Sequence, residues 1–113
     1  MKTVRIQRNG ETLASGWHAT GYFARLRGLL GRTIVPEGGL LLTPCNAIHM
    51  IGMRYAIDAV YLDKKGSVLR ADEAVQPGRI CPMQRGARHV LELSEGSIKR
   101  HSIQLGDRLE VTS

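Results

Sequence analysis

A chain of 113 residues has room for one domain and one core, so a single domain over 1–113 is expected and a multidomain machine is excluded. Apolar residues make up 42%, which places the chain among globular rather than disordered proteins, and the scarcity of aromatics leaves its core to Leu, Ile, Val, Ala and Met. The net charge of +6, carried mostly by Arg, bears on anion binding and solubility and excludes little about fold.

The opening MKTVRIQRNG lacks the apolar run of a signal peptide, and no later stretch has membrane-spanning length. A cytoplasmic chain with no membrane partner is expected. In that compartment Cys45 and Cys81 stay reduced, and no disulfide is expected. In TVRIQ the apolar residues Val4 and Ile6 alternate as in a strand; Asn9-Gly10 then turns the chain into a short second strand through Leu13. Tyr22, Phe23, Leu26, Leu29 and Leu30 share one helical face, with Thr20 as cap and Gly31 as stop, which predicts a helix of about three turns.

After VPEGG, the run LLLTP reads as a strand ended by Pro44. YAIDAVYLD reads as the next, and DKKG turns it into SVLRA. A loop holding Pro77, Gly78 and Pro82 leads to RHVLEL, again strand-like. SEGSIKRHSI suits one or two helical turns, and GDRLEV closes as a last strand. These elements make an α+β fold, mainly β: short antiparallel strands in a barrel-like sheet with one main helix.

The stretch PCNAIHMIGMRYAIDAVYLD concentrates the chemistry. Cys45, His49 and Met53 stand four residues apart, and an extended segment would point all three to one side. Thiolate, imidazole and thioether suit soft metals, yet a closed zinc site wants four protein ligands and only three cluster here, so no metal is assigned. A Cys45–His49 thiolate pair fares worse, because an extended strand separates their Cα atoms by roughly 13 Å. Asp58 shares a strand face with Val60 and Leu62, so its carboxylate is expected to be buried and to need a partner from a neighbouring strand or loop. A buried or rim ion pair is the plainest form of that partner. Arg54, four residues earlier, is too far along a strand to supply it. Asp63 reads as a turn residue.

The remaining basic groups form two sets: Arg25, Arg27 and Arg32 around the expected helix, and Arg79, Arg85 and Arg88 around the proline loop. Neither a phosphate-binding P-loop nor the stacked aromatics of an RNA-binding sheet is present, and one helix is too few for helix-turn-helix. Sequence-specific nucleic-acid recognition is therefore not expected. Weak anion or phosphate-backbone binding is compatible with this surface.

The helix end RLRGLLGR, the strand GGLLL, the centre CNAIHMIGMRYAIDAVYLD, the strand ARHVLELSEG and the close GDRLEV together resemble a prokaryotic family known as domain of unknown function 192. The resemblance covers nearly the whole chain. Where the family often has Pro before the Ile-Asp pair, this chain has Ala56; where it often has a bulky aromatic before the Met, this chain has Gly52. The resemblance implies one compact, mostly β domain and adds weight to Cys45, His49, Met53, Arg54 and Asp58, with no role, activity or cofactor attached. Two expectations follow. The first is a small-molecule or anion-binding domain using those five residues, catalytic or not. The second is a non-enzymatic interaction module that docks an acidic protein or nucleic acid through its Arg surface.

Overall fold

The structure, a computed structural model, describes residues 2–21 and 34–113. The expected helix and Arg25, Arg27 and Arg32 lie outside the described residues. The first hairpin forms as expected: β1 (Lys2–Arg8) and β2 (Glu11–Ala19) pair antiparallel around Asn9 and Gly10, both at positive φ. Two positive-φ residues give the turn whose twist matches the strands it joins. β2 runs six residues beyond Leu13, where the sequence reading ended it.

β3 (Gly38–Leu42) follows and pairs with β2 in parallel; the other strand pairs among the described residues are antiparallel, as expected. A parallel neighbour requires a crossover, and the chain between Ala19 and Gly38 supplies one. Side by side, Gly16 and Gly39 let the two backbones approach so closely that a Cβ on Gly16 would collide with the Gly39 carbonyl. Next come β4 (Ile48–His49), β5 (Ile57–Leu62), β6 (Val68–Val75), β7 (Ile80–Cys81), β8 (His89–Ser94), a single-turn helix α1 (Ser97–Arg100) and β9 (Glu110–Thr112). Seven strands make one sheet in the order β6-β5-β8-β3-β2-β1-β9, and β4 pairs with β7 apart from it.

That sheet curls. The start of β6 meets the segment before β9 through a Ser67–Arg108 bridge, and Val68 N–H donates to the Asp107 carbonyl at 2.8 Å. Curling separates two apolar layers. The inner one gathers Val4, Ile6, Leu13, Leu41, Val60, Leu62, Val68, Leu91 and Leu93 with Ile98, Ile103 and Leu109. The outer one packs Leu40, Leu42, Ile57, Ala59, Tyr61 and Val90 under the β4 and β7 excursions, which contribute Ile48, Met50 and Cys81. β3 and β5 are buried along their full length because each serves both layers. Among the described residues no helix is long and apolar enough to cross a membrane.

Candidate functional site

The five residues of the central stretch do not converge on one pocket. A turn, closed by Met53 N–H on the Met50 carbonyl at 3.1 Å, interrupts the segment, so the same-side rule for extended chains does not hold for Cys45, His49 and Met53. Cys45 and Met53 are half-buried against the outer layer, whereas His49 and Arg54 are exposed. The Cys45 thiol donates to the Ala47 carbonyl at 3.1 Å. Both cysteines remain thiols. Among the described residues no three His, Cys, Asp or Glu side chains gather closely enough to hold a metal ion.

Asp58 points the other way, into the inner layer, and is fully buried. Its partners are backbone amides, not a cation: Ala74 N–H donates to Oδ1 and Ile98 N–H to Oδ2, each at 2.9 Å. The first belongs to an irregularity in the β5–β6 pairing where Ala74 sits at φ 50°, and the second to α1. The carboxylate therefore ties a strand to a bulge and to a helical turn.

Two groups that the sequence reading passed over stand out. Glu92 lies mid-sheet on β8, paired with Leu40 and Ala59, so its side chain enters the outer layer, where it is 5% exposed. Burial alone acts on this carboxyl and pushes its pKa up to about 7; no hydrogen bond or charge among the described residues offsets that burial. The Tyr55 phenol is close by: burial raises its pKa, the Glu92 charge adds to the rise, and a hydrogen bond with the Ile34 backbone opposes it. Nearby, burial also pushes the Tyr61 phenol up; its ring lies 5.3 Å from Arg70, whose guanidinium pairs with Asp72 at 2.9 Å.

The second group is a hydroxyl bridging two imidazoles. Thr43 Oγ1 is 2.8 Å from His18 Nε2 and 2.6 Å from His89 Nδ1. His18 pairs with Leu41 and His89 with Leu62, both inner-layer residues, so the bridge spans the inner face at one end of the curled sheet. A threonine has one hydroxyl proton, so it donates to one ring and accepts from the other. No motif announces this set; only the pairing register brings it together.

The candidate anion residues Arg79, Arg85 and Arg88 are all exposed on the loop around β7. They share it with the exposed apolar residues Ile80 and Met83.

Fold and site together define a small, mostly β domain with a curled sheet, a carboxyl whose burial nothing among the described residues offsets, and a histidine pair at one end. A family model described as "Uncharacterized ACR, COG1430", domain of unknown function 192, matches residues 4–111, and the chain belongs to that family. A UPF0127 protein from Pyrococcus furiosus is 35% identical over 71 residues, which are 62% of this chain and 60% of that protein; the match thus spans under two thirds of the relative's length. Among solved structures, a protein from Sinorhizobium meliloti 1021, described as a candidate transcription regulator, superposes with a TM-score of 0.82 at 26% identity, covering 96% of this chain and 92% of that one. A protein of unknown function from Novosphingobium aromaticivorans shares the fold, with a TM-score of 0.80 at 20% identity over 96% of this chain and 83% of that one.

Proposed function

We propose that this domain binds a small molecule in its outer layer, between the sheet and the 45–55 segment. The observation that carries the reading is Glu92. Holding a carboxyl at the centre of a sheet, with burial uncompensated among the described residues, costs on the order of 3 kcal/mol once it ionises. Perturbed groups of this kind concentrate at functional sites. A ligand that presents an amine, amide or hydroxyl hydrogen to Glu92 supplies a partner that the described residues do not. Tyr55 offers a second polar contact, and Cys45 and Met53 offer soft apolar walls. His49 and Arg54, exposed on the same segment, would meet any acidic group of the ligand. Asp58 serves this site from the opposite face by fixing the strand.

Native mass spectrometry of gently purified protein tests the reading. The wild type should carry a small-molecule adduct that Glu92→Gln loses without loss of melting temperature, and that Arg54→Ala or His49→Ala weakens. Equal adduct occupancy in the wild type and Glu92→Gln would remove Glu92 from the site. A clean apo mass would count against tight binding.

A second reading has its own observation. Ile51, Ile80 and Met83 are exposed beside Arg79 and Arg85, and Met50 N–H bonded to the Arg79 carbonyl joins the two loops that carry them. Apolar and cationic groups on one surface suit docking to an acidic protein or nucleic acid, and the description of the Sinorhizobium neighbour as a candidate transcription regulator sits with this alternative. Binding that falls steeply with salt and is lost in an Arg79→Ala/Arg85→Ala variant supports docking; salt-indifferent binding that depends on Glu92 supports the first reading.

A further inference from the structure

We propose that the cleft at the end of the curled sheet is a binding site for a small dianion of the phosphate-monoester type, held by Lys64, Lys65 and Arg108 against the Thr43-bridged pair His18 and His89. The proposal does not rest on the outer-layer site, since the cleft opens on the inner face. Its volume is about 410 Å³, enough for a small metabolite, and its floor is Leu41, Leu62 and Leu109. Three cations line it against one carboxylate, Glu110, which leaves two positive charges and matches a dianion. The backbone that carries the lysines is held from below, and Arg108 is held through its side chain. Asp63 Oδ1 accepts the Lys65 and Ser67 amides at 2.9 Å, which fixes the turn carrying both lysines. Arg108 donates its Nε to the Lys65 carbonyl at 3.2 Å, and among the described residues its terminal nitrogens stay available to a ligand. Thr112 lines the same cleft with a buried hydroxyl that has no partner among the described residues.

The histidine bridge makes the site proton-linked. With both rings neutral, the single Thr43 proton leaves one outer ring nitrogen as a donor and the other bare. Reversing the hydroxyl, with both rings changing tautomer as their outer nitrogens exchange protons with solvent, swaps the two roles. Burial is the main reason both imidazoles sit below their ordinary pKa; Lys2 adds to this at His18, and His18 and Arg88 add to it at His89, with Asp63 opposing. Lys64, Lys65 and Arg108 face the pair across the cleft, as does Glu110. A bound dianion offsets this positive surplus and favours imidazolium, so binding takes up protons and tightens as pH falls.

The experiment is an NMR titration of the four imidazoles with sulfate and with inorganic phosphate at constant ionic strength. Sulfate stays a dianion throughout, which separates protein protonation from ligand protonation. His18 and His89 should shift saturably with a Kd of about 1 mM or below, while His49 and His101 serve as internal controls and stay put. Sulfate should bind about fivefold more tightly near pH 6 than near pH 8. A Lys65→Ala/Arg108→Ala variant should weaken binding at least about tenfold while keeping wild-type dispersion of the other resonances. If all four imidazoles drift together, or if none saturates, the site does not exist. If an RNA oligonucleotide moves His18 and His89 while phosphate and sulfate do not, the cleft belongs to a backbone-binding surface and the small-dianion assignment is wrong.

Discussion

A carboxylate can be held in a protein core in two ways, and Asp58 and Glu92 take one each. Asp58 is fully buried and spends both oxygens on backbone amides. An amide in its place keeps one acceptor and turns an NH₂ toward the other N–H, so Asp58→Asn should cost roughly 3 kcal/mol, a fall in melting temperature on the order of 10 °C. A variant that melts with the wild type would show that the two amides find other acceptors. Glu92 has burial without compensation among the described residues, and its pKa of about 7 lies above the ordinary 4.5. The folded state therefore binds the proton more tightly than the unfolded chain, and stability drops as pH rises from about 4.5 to 7. Above that window the full penalty is present. Glu92→Gln should match the wild type near pH 4 and exceed it near pH 8 by a margin on the order of 3 kcal/mol, read from urea melts at both values; a margin that does not change with pH refutes the assignment. The burial of Asp58 is legible in the alternation of IDAVYL, but its partners are not, because a bulge amide and a helical turn leave no local signature. Glu92 is hidden for a related reason. Alternation in HVLELS sets it opposite Leu91 and Leu93, on a face that a one-sided sheet would give to water, and only burial on both faces reverses that inference.

Most strands were readable from alternation and turn residues. Turns join β1 to β2 and β5 to β6, while β8 shows in its apolar run although its partners β5 and β3 are distant in sequence. Three features escaped. β2 continues through Ser15-Gly16-Trp17-His18, whose small and polar residues read as loop until β3 closes on them in parallel. β4 and β7 are too short to show a period. The closure of the sheet is written mainly in one glycine. Gly66 has φ +90°, and a Cβ there would collide with the Leu109 carbonyl, the neighbour whose own N–H donates to Gly66 O at 2.9 Å. Gly10 has a similar φ of +82° with open space around it. The pair separates backbone strain from collision: Gly10→Ala should cost about 1 kcal/mol, and Gly66→Ala roughly 2 kcal/mol more, with faster hydrogen exchange at Leu109. Equal costs at the two positions would mean that β6 and the β9 segment can part without loss.

At the scale of the molecule, stability should be graded outward from the strands buried on both faces. β3, β5 and β8 stand together near the centre of the sheet, and opening any of them exposes both apolar layers at once. Among the described residues β9 pairs with β1 alone and is mostly exposed, while β4 and β7 hold to each other through two residues apiece. Hydrogen exchange should therefore fall in two tiers, with β3, β5 and β8 amides exchanging only through global unfolding and β4, β7 and β9 amides far faster. The grading matters for function because the proposed outer-layer ligand site is roofed by the β4–β7 excursion, and the walls of the dianion cleft include β9. Each site is then built half on the rigid centre, through Glu92 or His89, and half on a segment able to open while the sheet stays intact. A ligand bound at either site should slow exchange on its own outer segment and leave the central strands unchanged. Sulfate that protects β9 and the Lys64–Gly66 turn, with β4 and β7 unaffected, would place it in the cleft; protection spread evenly over all seven strands would mean that the anion stabilises the fold as a whole and occupies no site.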